Sequence, residues 1–233
     1  MTVNAFGFST EPAAGGGNFT PIIKYDARAG RIFRCDRIDT GNGYESTAID
    51  ITPMFKAVVD FENVETGWID FPVGSAPSFV LIKIADLKAG NQLPDRPSTK
   101  HKNGIRVLLK LNKTCGGDRP VREMAGTAKA FVSGVEEVYQ EYEREKSKYP
   151  GKLPVIVLVS TEVIKSGKGQ NASTNYRPKF KIVGWATRPE DLVHIPVTAN
   201  APATAPATAP STGSTAVPPP AAAATVSADD DFG

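Results

Sequence analysis

Residues 118–151 read DRPVREMAGTAKAFVSGVEEVYQEYEREKSKYPG, the longest helical periodicity in the chain. Apolar or aromatic residues fall at Val121, Met124, Ala128, Phe131, Val135, Val138 and Tyr142, in alternating steps of three and four that draw one stripe on a helix. Asp118 is placed to cap the first turn, Pro120 suits it, and Tyr149-Pro150-Gly151 ends it. Gly126 and Gly134 within the stripe make a poor coiled-coil seam. The spacing therefore predicts a single helix packed on a β structure.

The flanking sequence supplies that β structure. Ile22–Tyr25 and Arg31–Ile38 read as strands around the turn Asp26-Ala27-Arg28-Ala29-Gly30. Further strand patterns follow at Tyr44–Ile51, Phe55–Phe61, Trp68–Phe71, Ser78–Ile84 and Ile105–Asn112, with a turn at Asn63–Gly67 and a polar loop at Asn91–Asn103. Beyond the helix come Val155–Val163 and Lys179–Ala186, joined by a loop at Ser166–Asn175. About eight short strands with one late helix predict a mainly β fold, an antiparallel barrel with one long inserted helix, and an open β-sandwich is second. Phe61, Trp68 and Phe79 are assigned to its core. Residues 1–18 close on Ala13-Ala14-Gly15-Gly16-Gly17-Asn18 and read as a flexible arm, in which Phe6 and Phe8 could dock on the body or a neighbour. Residues 19–196 form the folded body.

All 27 Lys and Arg lie in residues 1–196 with 22 of the 25 Asp and Glu, so the body carries +5 and residues 197–233 carry −3. Opposed signs within one chain predict an anionic partner for the body and a cationic one for the tail. Two cysteines, Cys35 and Cys115, are too few for a zinc site and do not require a disulfide, which points to a reduced, cytosolic protein. No apolar run approaches the roughly 18 residues of a membrane span, and Met1–Pro12 lacks the pattern of a signal peptide. Neither a phosphate loop nor a dinucleotide fingerprint is present. Cys115 has no His signal beside it, as His101 and His194 are the only histidines. These absences argue against an enzyme and against a cofactor or metal.

The bases are segregated. Arg96–Lys113 holds six and no acid, Thr161–Arg188 six against one acid, and Ile22–Ile38 five against two, whereas Asp39–Asp70 holds seven acids and one Lys. Aromatic rings are interleaved with the basic stretches. A cationic track with exposed rings is what sequence-tolerant binding of a single nucleic-acid strand requires. The candidate contacts are Lys24, Tyr25, Arg28, Arg31, Phe33, Arg34 and Arg37 in the first hairpin, and Lys100, Lys102, Arg106, Lys110 and Lys113 in the middle. Lys165, Lys168, Tyr176, Arg177, Lys179, Phe180, Lys181 and Trp185 complete the set near the end of the body. On an extended Arg31–Ile38, Phe33 shares a face with Arg31, Cys35 and Arg37, which predicts an exposed ring on a basic face.

The tail, residues 197–233, is rich in Ala, Pro and Thr, with no large apolar residue before Phe232. Such a segment buries too little to offset chain entropy, so residues 197–228 are expected to be a disordered tether and 229–233 a tip. The tip, Asp229, Asp230, Asp231 and Phe232, resembles that of phage-type single-stranded-DNA-binding proteins. The resemblance implies an OB-fold body that coats and protects single-stranded DNA, RNA being a weaker possibility. It also implies a tip that recruits replication, recombination and repair proteins, in the host cytoplasm for a phage protein. Family tips usually end on Phe; here Gly233 follows. The resemblance in the body is one of architecture and charge only, and a structural or virion interaction protein is the alternative from another class.

Overall fold

The computed structural model describes residues 20–41, 44–73, 76–166 and 172–196. These belong to one unit, Met1–Asn200, while a second, Ala201–Gly233, lies outside them. The expected arm, tether and tip, together with Lys168, therefore fall outside the described residues.

The chain is mainly β. In order it forms β1 (Ile22–Asp26), β2 (Arg31–Asp39), β3 (Tyr44–Asp50), β4 (Lys56–Val59), β5 (Glu65–Asp70), β6 (Ser78–Lys83), α1 (Ile84–Lys88), β7 (Lys102–Leu111), β8 (Val121–Gly126), α2 (Lys129–Glu145), β9 (Lys152–Ser166) and β10 (Ser173–Thr187). The strands make one sheet in the order β10-β9-β4-β7-β8-β1-β2-β3, with β5 beside β7 and β6 outside β5. Every pairing is antiparallel except β1 with β8.

The sheet curls without its ladder closing. Along β9–β10 the register shifts between Lys179 and Phe180 and between Ile182 and Gly184, which leaves Val159 and Val183 unpaired and exposed. Such bulges bend and twist a strand pair. The bend brings β10 back toward the first hairpin, where Tyr176 N–H donates to Ala27 O at 2.7 Å. Gly30 allows the approach. It holds φ +67°, and an added Cβ would stand 3.0 Å from the Tyr176 Cβ.

The expected helix is corrected in its first third. Residues 121–126 form β8, paired to β7 and β1, and α2 begins only at Lys129 after extended Ala128. The 3-4 spacing persists through this stretch by coincidence. Val121 and Met124 lie on opposite faces of a strand, and Met124 alone of the two is in the main core. Gly126 ends the strand where the Phe131 ring leaves no room, since an added Cβ would lie 2.7 Å from it. From Phe131 onward the stripe is as expected: Phe131, Val135, Val138 and Tyr142 are buried against Ile23, Ile32, Val107, Leu109, Met124 and Ile156. At Gly134 the helix meets β10 so closely that an added Cβ would lie 2.5 Å from Pro178 O.

Two further expectations change. Ile84 opens the short helix α1 rather than ending a strand. Phe61 is core, but Trp68 and Phe79 are not.

After β10 the chain crosses the outer face of the sheet as a strap, residues 188–196. Arg188 donates to both Asp60 carboxylate oxygens at 2.7 and 2.9 Å, and to Glu62 at 2.8 Å. Leu192, 1% exposed, packs on Leu108 and Leu153 with Val58 and Val121 around it. Asp191 pairs with Lys110 at 2.7 Å.

Candidate nucleic-acid interface

The first hairpin is built by period two. Ile23 and Tyr25 on β1 and Ile32 on β2 point into the core, so Ile22, Lys24, Arg31, Phe33, Cys35 and Arg37 take the outer face. Pairing sets Lys24 opposite Phe33, Ile22 opposite Cys35 and Asp26 opposite Arg31. Lys24 and Arg37 are exposed and the Phe33 ring is half-buried, while Arg31 bonds Asp50 at 2.5 Å. Asp50 is held below its usual carboxylate range, first by the Thr52 hydroxyl and also by Arg31. Exposed Arg28 sits in the turn, where Asp26 Oδ1 accepts the Arg28 and Ala29 amides at 2.9 and 3.1 Å. Tyr176 abuts this turn through Ala27 and Gly30, and exposed Lys165 pairs with Thr174, two residues away. Lys24, Arg28, Arg31, Phe33 and Arg37 thus form one ring-and-cation surface on the first hairpin, with Tyr176 against its turn at the seam of the curl.

Other candidates stand elsewhere. Lys113 and Lys181 are exposed, and so are Lys100 and Lys102 at the start of β7. Several have structural jobs instead. Tyr25 is 9% exposed, stacks on Phe131 at 5.8 Å and donates its hydroxyl to Tyr176 O at 2.9 Å. Burial, helped by Asp26, pushes its phenol up to about 12. Arg34 lies on the opposite side of β2 from Phe33, bonding Asp36 and Cys115 O, each at 2.9 Å. Arg106 is buried between Glu65 at 2.5 Å and Glu123 at 2.7 Å and donates to Ile195 O of the strap at 3.3 Å. Lys110 is engaged by Asp191. Arg177 pairs with Glu162, and Lys179 with Glu137 and Glu162. Phe180 packs on the core beside Phe55, and Trp185 lies between Tyr142 and Tyr149, 4.6 Å from the latter.

The tied cations Arg106, Lys110, Arg177 and Lys179 share one reason. A cation on a sheet beside a carboxylate from another element becomes a tie, and charge counts along a chain do not see that element. Arg122, absent from the expected set, is the extreme case. At 2% exposure it holds Asp36 at 2.7 Å and Cys35 O at 2.9 Å.

A second ring group went unanticipated. Phe71 is 46% exposed and stands edge-on to Phe79, with centroids 6.2 Å apart. Trp68 lies under the Arg96 guanidinium, 5.2 Å away, and donates Nε1–H to Pro94 O at 2.7 Å. Period two in Glu65–Asp70, where Glu65, Gly67 and Ile69 are buried and Trp68 is not, is the signal that finds it.

Among the described residues no group of three His, Cys, Asp or Glu could hold a metal ion, and no helix is long and apolar enough to cross a membrane. Both cysteines are free; burial pushes the Cys35 thiol up, and Cys115 bonds Asn112 Oδ1 at 2.9 Å. Comparisons with protein-family models, curated proteins and solved structures find no match to this chain.

Proposed function

We propose that the body binds single-stranded DNA without strong sequence preference and that the tip, Asp229–Phe232, recruits replication and recombination proteins. The observation that carries the reading is the seam surface. There Lys24 and Phe33 sit side by side on an outward strand pair, with exposed Arg37 and Arg28 on the same hairpin and Arg31 shared with Asp50. Cations along a sheet face neutralise a strand's phosphates and a ring between them offers a base its π-face. The curled sheet, with β10 returning to β1, supports an OB-type barrel as the scaffold. The free thiols Cys35 and Cys115 fit a reducing compartment.

Anisotropy titration of a labelled oligothymidine at several salt concentrations tests the body. Neutralising about four to six phosphates gives a log–log slope of about −3 to −4, at roughly 0.7 per phosphate for single strands. A flat salt response, or duplex bound as tightly as single strand, refutes it and leaves a structural interaction protein as the reading. Pull-downs with and without Ser227–Gly233 test the tip, which is needed for recruitment and not for DNA.

A further inference from the structure

We infer that the body carries a second single-strand contact at the tip of the β5–β6 hairpin, made by Phe71 and Phe79 with Lys100 and Lys102. This rests on the single-strand reading above and adds a site to it.

Phe71 presents an open face while its edge contact with Phe79 fixes its pose. In register, Phe79 lies opposite Ile69 and Ile69 opposite Lys102, so ring and ammonium share one face two strands apart. At about 4.8 Å per strand the separation is roughly 10 Å. That spacing lets one segment of nucleic acid set a base on the ring and a phosphate on the cation.

The supporting loop is pinned, which lowers the ordering cost of binding. Arg96 donates to His101 O at 2.8 Å and to Thr99 O at 2.6 Å. The His101 ring bridges Ser98 Oγ at 2.8 Å and Ser78 Oγ at 3.1 Å. Trp68 holds Pro94 from beneath. Lys100 and Lys102 stand on this scaffold exposed, and among the described residues neither makes an ion pair with a carboxylate. The nearby acids are Asp70, which alternates to the face opposite Ile69, and Asp95, exposed in the loop. Phe79 and Lys102 share the outer side with Lys24 and Phe33. Between the two patches lies the Arg106 ion cluster under the strap. A strand spanning both patches crosses the strap, and a short one occupies the seam surface alone.

The test uses the full chain and two labelled oligothymidines of about 6 and about 20 nucleotides, within and beyond the roughly 4–16 that one barrel of this type covers. Expected for Phe71→Ala is roughly tenfold weaker binding of the long oligonucleotide and unchanged binding of the short one, with Phe71→Tyr restoring the long. Lys100→Ala/Lys102→Ala lowers the salt slope for the long oligonucleotide by about 1.4. If wild type binds both lengths and the variants bind both as wild type does, the second contact is refuted while the seam surface stands. A dimer–monomer shift on Phe71→Ala in sedimentation, with DNA affinity unchanged, refutes it in favour of a self-contact. Wild type that binds neither oligonucleotide refutes both readings.

Discussion

Replacing Arg106 separates most sharply the cations that serve the fold from those proposed to meet DNA. Its side chain is 5% exposed, between Glu65 at 8% and Glu123 at 14%, and it also holds the strap through Ile195 O. Arg106→Met strands two carboxylates in a dry site, and breaking such a buried group from one side costs about 3–5 kcal/mol. For a domain of this size about 2–4 °C of Tm is lost per kcal/mol, so Tm drops by roughly 6–20 °C. Replacing all three together (Arg106→Met, Glu65→Leu, Glu123→Gln) recovers most of the loss, because no charge is left unpaired. Calorimetry gives the first quantity. An oligothymidine titration well below each variant's Tm gives the second, in which affinity and salt slope stay at wild-type values. A wild-type Tm combined with a salt slope reduced by about 0.7, one phosphate's worth, would falsify the assignment and return Arg106 to the DNA.

Phe33→Ala weakens single-strand binding by about 1–3 kcal/mol and barely moves Tm. Tyr25→Phe does the converse, losing about 0.5–1.5 kcal/mol of stability with the Tyr176 O bond while affinity holds, and an affinity loss there refutes its core role. Gly134→Ala destabilises the fold by about 1–3 kcal/mol in urea although Ala favours a helix interior by about 1 kcal/mol, because the added Cβ meets Pro178 O; a stabilised variant overturns that packing. Burial first, with Lys83 and Arg106, lowers the His194 pKa against the pull of Glu65 and Asp60. The unfolded chain therefore takes the proton first, and stability falls as pH drops from about 6.5 through the folded pKa. Between pH 7.5 and 5.5 the urea midpoint of wild type falls more than that of His194→Gln, and equal falls dismiss the contribution.

The first hairpin was readable because its signals are local. Period two sorts Ile23 and Tyr25 from Ile22 and Lys24, and Asp26 and Gly30 hold the turn. The same parity leaves Phe33 outward but puts Tyr25 inward, which a list of rings near bases overlooked. The later two thirds of the helix were readable from the stripe. Its first third was not, because Val121 and Met124 keep a helical spacing while the local structure is settled by pairing with β1 and β7. The ties of Arg106 to Glu65, Arg122 to Asp36 and Arg188 to Asp60 join residues 41, 86 and 128 positions apart. No local pattern announces them, so cations that serve the fold looked the same as cations free to meet a phosphate.

The strap has a mechanical consequence. Any load applied to the chain beyond Pro196 reaches the residues from Ile195 back to Arg188 before it reaches β10. Leu192 in its apolar seat, Asp191 on Lys110 and Arg188 on Asp60 spread that load over β4, β7 and the turn after β4. β10 borders the sheet with only β9 beside it, and a direct pull would unzip its ladder one bond at a time. The strap works as a strain relief, so a pull on the chain beyond Pro196 loads several anchors at once and spares the strand that brings the seam together.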